Sequence, residues 1–193
     1  MNIYFIRHGQ TTGDVEDRYG GNYDDHLTEL GKEQAEALTN KFEGRCVQAI
    51  FSSPLIRARE TAEILAKQIG APVEIDSDLR EGNHYGILTG MPRAEARERY
   101  PAEVKKLKDR SQTVEGAEPY SQFSERIIKA IERRADDSRY TCVILVSHGG
   151  PMHVLFRKIL KRGEIDPGDC SFAVLQYKMG KFELKESDGI KFL

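Results

Sequence analysis

The sequence has few cysteines and no long apolar run. Its 193 residues include three cysteines, Cys46, Cys142 and Cys170, which lie far apart and form no CxxC pair. This odd, scattered set argues against a disulfide framework and against a zinc site, so we expect reduced thiols and a cytoplasmic protein. No apolar stretch approaches the roughly 20 residues of a membrane-spanning helix. The N-terminal run also lacks the basic region of a signal peptide.

Basic and acidic residues are nearly balanced, and nucleotide-binding motifs are missing. The formal net charge is −2, which argues against a protein dedicated to binding nucleic acid or a membrane surface. The chain lacks a P-loop and a dinucleotide-binding glycine motif, so nucleotide-binding folds have little support. It contains no internal repeat. At this length we expect a single domain over residues 1–193, with a possible cap insertion.

A short apolar run near the N-terminus ends in an arginine and a histidine. Residues 1–6 are mostly β-branched, aromatic or aliphatic and too few for a core helix, so they predict a buried strand. Arg7, His8 and Gly9 follow directly. Chemistry in open α/β sheets gathers at the carboxyl ends of strands, and a glycine lets the backbone approach an anion closely. The motif therefore predicts a guanidinium beside a possible nucleophile.

A second strand ends in the same way. Residues 141–147 are the most β-like run in the chain, and His148, Gly149 and Gly150 come immediately after them. Apolar residues then recur at helical spacing, so His148 is expected near a helix N-terminus, where free backbone N–H groups favour anions. Two strands that each end in His-Gly predict two imidazoles facing each other across one anion site.

The rest of the chain alternates short apolar runs with helical periodicity. Strands are expected over 47–51 and 73–75, helices after residue 27, after Pro54 and over 119–134, and a closing hairpin over 171–178 and 181–186. This alternation indicates an α/β fold: a three-layer α/β/α sandwich with a mostly parallel central sheet and a small helical or loop cap over about 82–115. The polar loop 12–26 is longer than most structural connections, which indicates a functional role.

These motifs resemble the histidine phosphatase superfamily, which has a phosphoglycerate-mutase-like fold and an Arg-His-Gly signature. The resemblance runs from Ile3 to about Leu160, in six blocks that follow the family's order. The blocks are Arg7-His8-Gly9-Gln10-Thr11, Leu27-Thr28-Glu29-Leu30-Gly31 with Gln34-Ala35, Ser52-Ser53-Pro54-Leu55-Ile56-Arg57-Ala58 with Thr61-Ala62, Leu79-Arg80-Glu81, Gly116-Ala117-Glu118 with Arg126, and Ser147-His148-Gly149-Gly150.

The resemblance implies a phosphomonoester hydrolase that acts through a phosphohistidine and needs no metal or cofactor. His8 would be the nucleophile, which requires a neutral imidazole with one ring nitrogen free. Glu81 matches the family's proton donor, which follows a Leu-x-Glu pattern, and it would protonate the leaving oxygen. His148, if protonated, would be a further catalytic group and a donor to the phosphate.

The same resemblance implies a phosphate site. Arg7 and Arg57 supply planar, permanently charged forks that suit phosphate oxygens. His148 and Gly149, at the predicted helix start, would contribute donors from the opposite side. The substrate itself would be a small phosphorylated metabolite, with no nucleic-acid or membrane partner, and the protein would be a monomer or a homodimer.

One departure from the family pattern bears on the phosphate site, and a second bears on the placement of Glu81. Asp14 stands where the family often has an asparagine that helps to hold the phosphate, so its carboxylate is expected to point away, to bind a substrate hydroxyl or amine, or to be protonated. Between Glu81 and Gly86 there are four residues where the family usually has three. The substrate-binding residues that we expect are Asp14, Gly20, Gly21 and His84.

Other functions remain open at this point. His148-Gly149-Gly150 resembles the phosphatase branch, but residues 84–90 resemble a mutase segment, and Arg93 or Arg110 could hold a substrate carboxylate in a cofactor-dependent phosphoglycerate mutase. An inactive phospho-ligand-binding relative is a third possibility. A metal site on His8, His148 and His153 has little support, because HExxH is absent and the family needs no metal.

Overall fold

Six strands form one sheet in a computed structural model that describes residues 1–109 and 112–193. They are β1 (Asn2–Arg7), β2 (Ala49–Ser52), β3 (Val73–Ile75), β4 (Cys142–Ser147), β5 (Ile165–Lys178) and β6 (Lys181–Phe192). Their order across the sheet is β3-β2-β4-β1-β5-β6. The first four strands of that order run parallel, whereas β5 and β6 pair antiparallel. The predicted mostly parallel sheet is confirmed.

Helices connect the strands and cover the sheet. The α-helices are α1 (Thr12–Val15), α2 (Glu29–Thr39), α3 (Ile56–Ile69), α4 (Arg93–Arg99), α5 (Pro101–Lys106), α6 (Tyr120–Ala135) and α7 (Gly149–Val154). Among the described residues, no helix is long and apolar enough to cross a membrane.

The central strands bury both faces, which produces two hydrophobic layers. Ile3 and Phe5 of β1 pack in the layer that contains α6 and α7, while Tyr4 and Ile6 pack in the layer that contains α2 and α3. Successive side chains of a strand point to opposite faces, so a strand covered on both sides is apolar throughout. Residues 3–6, before Arg7, are therefore all apolar because β1 is covered on both faces. The predicted three-layer sandwich is confirmed.

The chain that follows β1 is fixed against the start of α2 by two glycines. A Cβ at Gly9 would lie 2.4 Å from the carbonyl oxygen of Gly31, and a Cβ at Gly31 would lie 2.1 Å from that of Gln10. Thr28 caps α2 by accepting the backbone N–H of Gly31 at 3.0 Å. Because no side chain fits between these backbones, the segment next to His8 is held rigidly in place.

The expected cap region contains α4 and α5 and has a small core of its own. Leu88, Ala96 and Val114 pack there with Tyr19 from the 12–26 loop. The loop and the segment 82–115 therefore support each other beside the carboxyl ends of the parallel strands. The extent of the cap insertion and the single-domain organisation stay predictions.

Three elements differ from the sequence-based expectation. In the closing hairpin, β5 begins earlier and β6 ends later than expected. The pairing of these strands is irregular between Pro167 and Phe172, and the polar residues there do not alternate with apolar ones as in a regular strand. The helix after His148 is an α-helix only to Val154 and continues as a π-helix over Leu155–Ile159. The polar loop contains the short helix α1, whose capping box is formed by Thr11.

Candidate active site

β1 and β4 bring two histidines together at their carboxyl ends. Arg7 and Ser147 are register partners in this parallel pair, so the next residues, His8 and His148, lie side by side. Their ring centroids are 5.0 Å apart, with the ring planes at 61°. Both side chains are buried.

Hydrogen bonds fix the tautomer of His8. Its Nδ1–H donates to the carbonyl oxygen of Gly9 at 2.8 Å, and its Nε2 accepts the Nε–H of Arg57 at 3.1 Å. Burial, together with the Arg57 and Arg7 guanidiniums, holds the pKa of His8 well below its usual 6.5, despite the opposing bond to Gly9. His8 is therefore a neutral imidazole with its lone pair on Nε2, the form that a nucleophile requires.

His148 is oriented by Ser53. The Ser53 hydroxyl lies 2.7 Å from His148 Nε2 and accepts the backbone N–H of Leu55 at 3.3 Å, so its own hydrogen is available for Nε2. The proton of His148 then resides on Nδ1, which is buried and has no partner among the described residues. Burial and then the charge of Arg57 lower the pKa of His148 well below 6.5. His148 is thus a neutral donor in this structure, and the cation expected beside a bound phosphate stays a prediction.

Arg57 is held by the 12–26 loop. Its Nη1 donates to the carbonyl oxygen of Tyr23 at 2.6 Å and to Asp25 Oδ1 at 2.7 Å, and its Nη2 donates to the carbonyl oxygen of Gly21 at 2.7 Å. Arg57 and Asp25 are only 4% and 5% exposed. Charge-assisted hydrogen bonds of this kind are short and geometrically specific. The loop therefore fixes the guanidinium against His8.

Arg7 is held from the other side by β5. Its Nη1 donates to the carbonyl oxygen of Pro167 at 2.5 Å, and its Nη2 lies 3.1 Å from Asp169 Oδ1. Gly149, the first residue of α7, lies close to Arg7, since a Cβ there would be 3.9 Å from Arg7 Nε. Arg7 and Gly149 therefore share one wall of the site.

Glu81 occupies a cradle formed by two glycines. Its Oε2 accepts the backbone N–H of Gly150 at 2.9 Å, and its Oε1 accepts that of Gly82 at 2.8 Å. A Cβ at Gly150 would lie 2.2 Å from Glu81 Oε1. Burial favours a raised pKa for this carboxyl, but His84 and the two backbone donors outweigh it and lower the pKa below its ordinary value.

A family model for the histidine phosphatase superfamily (branch 1) matches residues 3–188. The chain belongs to this superfamily. The Arabidopsis thaliana protein "metal-independent phosphoserine phosphatase" is 33% identical over 163 residues, which are 81% of this chain and 68% of the relative. The Escherichia coli O1:K1 / APEC protein "probable phosphoglycerate mutase GpmB" is 32% identical over 168 residues, 83% of this chain and 75% of the relative.

Solved structures give the same assignment. Bacillus stearothermophilus YhfR has a TM-score of 0.86 at 26% identity, with 95% of this chain and 94% of that chain covered. The mycobacterial glucosyl-3-phosphoglycerate phosphatase Rv2419c, solved with VO3, has a TM-score of 0.79 at 29% identity, with 95% and 96% covered. The histidine phosphatase family and the phosphatase class predicted from the sequence are confirmed, and mutase-like relatives also match.

Two cavities of this histidine phosphatase share part of their lining, and the smaller one reaches His8. The smaller, about 170 Å³, is lined by Arg7, His8 and Arg57 and by Asp14, Gly20 and Gly21. The larger, about 820 Å³, is lined by cap residues and by His84. The residues common to both cavities are Arg7, Gly21, Glu81, Tyr85, Arg93 and Gly149. The smaller cavity has room for a phosphoryl group, and the shared lining residues place the larger cavity beside it.

The expected substrate residues have distinct positions in these cavities. Asp14 turns one carboxylate oxygen, Oδ2, toward Thr11 in the capping box of α1, accepting its N–H and its hydroxyl at 2.9 Å each. The carbonyl oxygen of Gly21 accepts a hydrogen bond from Arg57, and Gly20 lines the smaller cavity beside it. His84 lies near Glu81. Arg110, the alternative to Arg93 for a substrate carboxylate, falls outside the described residues.

Several groups of the site were missed from the sequence. Asp25 and Asp169 hold the two arginines, and Ser53 orients His148. Nothing in the sequence distinguishes Asp25 from the other polar residues of the 12–26 loop. Asp169 lies where the alternating strand pattern of β5 is interrupted. Ser53 belongs to one of the family blocks, where its proximity to Arg57 could have marked it.

The two buried histidines predict a loss of stability in weak acid. Their pKa values are lowered in the folded protein and ordinary in the unfolded chain, so unfolding takes up protons below pH 6.5. Their stabilising contribution is complete above the unfolded pKa and is lost as the pH falls toward the folded values. We expect the free energy of unfolding to fall by up to about 1.4 kcal/mol per pH unit for each histidine.

Urea unfolding in phosphate-free buffer, at about pH 7.5 and about pH 5.5, measures this loss. The His148→Gln variant is the control, because it removes one of the two titrating groups and should show a smaller difference between the two pH values. An identical difference in both proteins would contradict the assignment of His148 as a buried neutral group.

Proposed function

We propose that this protein hydrolyses small phosphomonoesters through a phosphohistidine on His8. The supporting observation is a buried, neutral His8 whose Nε2 lone pair faces Arg57, next to a His148 Nδ1 without a partner among the described residues. Phosphoryl transfer depends mainly on positioning and on stabilising the equatorial oxygens. This arrangement supplies both requirements from residues that the fold holds rigidly.

In the first half of the reaction, the lone pair on His8 Nε2 attacks phosphorus. The bond from phosphorus to the leaving oxygen breaks, and its electron pair stays on that oxygen, which takes a proton from Glu81. In the second half, the oxygen of a water molecule attacks phosphorus, and the water gives a proton to Glu81. The N–P bond breaks, and its electron pair returns to Nε2 of His8. The same acid thus serves both halves.

The donors around the phosphoryl group follow from the hydrogen bonds of the resting site. Arg57 has five N–H groups, and one on Nη2 is left after its bonds to the loop and to His8. Arg7 presents N–H groups beside Gly149 at the wall of the smaller cavity. His148 adds its Nδ1–H. Each of these donors is positioned before substrate arrives, which lowers the cost of reorganisation in the transition state.

Hydrolysis is tested against isomerisation by one experiment. The purified protein is mixed with 3-phosphoglycerate in the presence and absence of 2,3-bisphosphoglycerate, and phosphorus NMR follows the products. We expect inorganic phosphate from phosphomonoesters, including p-nitrophenyl phosphate, without added metal. Rapid isomerisation without phosphate release would identify a mutase, and no turnover of any ester would identify a binding protein.

The mutase alternative is favoured by one observation. Arg93 lines both cavities, so it could hold a carboxylate while the phosphate is bound near His8. A GpmB relative matches the chain as well. We favour hydrolysis because the phosphoserine phosphatase relative is at least as similar and the larger cavity exceeds the needs of a phosphoglycerate.

We also propose a cytoplasmic location and a monomer or homodimer. The three cysteines are free thiols, which suits a reducing compartment. The substrate would be a small phosphorylated metabolite, and a screen of phosphate release over a metabolite panel would identify it.

A further inference from the structure

His84 folds back onto the catalytic carboxyl group. Its Nε2 lies 3.7 Å from Glu81 Oε1, with side-chain exposures of 32% for His84 and 12% for Glu81. The ring stands edge-on against Phe123, with centroids 4.6 Å apart at 84°. A Cβ at Gly82 would lie 2.4 Å from Cε1 and 2.6 Å from Nε2 of His84. The imidazole thus packs directly on the Gly82 backbone and on Phe123.

The turn that delivers His84 is anchored at both ends. The Asn83 side chain accepts the backbone N–H of Gly86 at 3.1 Å and donates to the carbonyl oxygen of Gly116 at 2.9 Å. A Cβ at Gly86 would lie 2.0 Å from the carbonyl oxygen of Glu115. The extra residue between Glu81 and Gly86 lies within this turn.

The geometry raises a chemical question for Glu81. A carboxyl that accepts two backbone N–H groups and faces an imidazole is stabilised as its anion, but the leaving oxygen must receive a proton. The nearest described group that can carry a proton near neutral pH is the His84 imidazole. At 3.7 Å the His84 Nε2 and Glu81 Oε1 atoms are beyond hydrogen-bond distance, so the two groups can share one proton once the imidazole moves to within about 3 Å of the carboxyl.

We propose that His84 stores the proton that Glu81 delivers to the leaving oxygen, a role that rests on the proposed hydrolysis. In this proposal the stored proton starts on the His84 imidazole, which faces the Glu81 carboxylate. As the bond to the leaving oxygen breaks, that oxygen takes the proton through Glu81, and His84 becomes neutral. Attack by water then returns one proton to the pair. The net reaction consumes one ester and one water and gives one alcohol and one phosphate.

Other titratable groups face this pair from several elements. Those lining the same cavity are Arg7 from β1, Tyr85 from the turn, Arg93 from α4, Lys106 from α5, Asp109, Glu118, Tyr120 from α6, His153 from α7, Arg157 from the π-helix and Asp166 from β5. Arg126 lies behind Phe123, 5.3 Å from its ring centroid, and is bound to Glu118. Glu118 is ion-paired with Arg126 at 2.8 Å, whereas Glu81 is the carboxylate in contact with His84, at 3.7 Å.

The test compares two leaving groups. p-Nitrophenolate is a weak base that needs no proton on departure, whereas the alkoxide of an alkyl phosphate such as phosphoserine or glycerol phosphate needs one. For His84→Gln, which keeps an N–H donor but cannot store a proton, we expect kcat/KM for the alkyl phosphate to fall by about 10²-fold. We expect kcat/KM for p-nitrophenyl phosphate, which reports phosphoryl transfer to His8, to fall far less, and urea unfolding shows whether the variant is folded.

The pH profile gives a second readout. A general acid must be protonated, so activity on the alkyl phosphate is lost as the pH rises through the pKa of the pair. Without an imidazole only the carboxyl can hold the proton, so the alkaline limb should move to lower pH in His84→Gln. The profile with p-nitrophenyl phosphate should not move in this way.

The matched control is His26→Gln. His26 also faces a glutamate, Glu60, at 2.7 Å, but it is 65% exposed and outside the cavities. Equal losses on both substrates, or no loss, in His84→Gln would overturn the storage role. A wild-type protein that hydrolyses neither substrate would instead overturn the proposed function.

Discussion

Replacement of His8 by alanine is expected to lower kcat/KM for phosphate release by roughly 10⁴-fold or more, the scale seen when a covalent nucleophile is removed. The reason is that the tautomer of His8 leaves a lone pair on its Nε2, whereas Nε2 of His148 accepts a hydrogen bond from the Ser53 hydroxyl. The free energy of unfolding should fall by only about 1–3 kcal/mol, because Arg57 loses one hydrogen-bond acceptor but keeps its ion pair with Asp25.

The measurement combines steady-state rates with trapping of the intermediate. Wild-type protein mixed with substrate and quenched in alkali should carry one phosphoryl group on His8, identified by mass spectrometry, and this species should be labile in acid. His26→Ala is the control, since it removes an exposed imidazole from the same chain. A phosphoryl group on Ser53, or a His8→Ala variant that still becomes phosphorylated, would refute the assignment.

Replacement of Arg57 by methionine should damage both activity and stability. Asp25 would remain buried without its cation, and breaking a buried ion pair in this way costs about 3–5 kcal/mol. Activity should fall by about 10²–10³-fold, because a preorganised donor to the phosphoryl oxygens is lost. Urea unfolding and phosphate-release assays measure the two effects separately.

The double variant Arg57→Met/Asp25→Asn separates the two roles of Arg57. Neutralising Asp25 should recover much of the lost stability and none of the activity. Arg59→Met is the matched control on α3, since Arg59 is 50% exposed and 3.9 Å from Glu63, and a surface pair contributes less than about 1 kcal/mol. Equal destabilisation by the Arg57 and Arg59 variants would refute the structural role of the buried pair.

The sequence predicts the position of the two histidines because each follows a strand whose pattern is unambiguous. β1 and β4 are buried on both faces, so they appear as continuous apolar runs, and parallel neighbours place their carboxyl ends at one edge. Arg57 could be singled out only through the family resemblance, since by periodicity alone it is one more charge in the first turn of a helix.

The partners of the arginines could not be predicted in the same way. Asp25 reaches Arg57 from a loop with no periodicity, and its role depends on how Tyr23 and Gly21 turn the backbone there. Asp169 lies in the irregular part of β5, where polar residues and a register shift remove the alternation. Such contacts depend on tertiary packing, which local patterns do not encode.

The hydrogen bond from Arg57 to His8 has a consequence for each turnover. This N–H is bonded to the electron pair that attacks phosphorus in the proposed mechanism, so the hydrogen bond must break before an N–P bond can form. Once the N–P bond forms, that electron pair is no longer an acceptor, and a phosphoryl oxygen next to it becomes the new partner. In that mechanism one guanidinium N–H keeps its hydrogen and changes its hydrogen-bond acceptor, from the imidazole nitrogen to a phosphoryl oxygen and back, in every catalytic cycle.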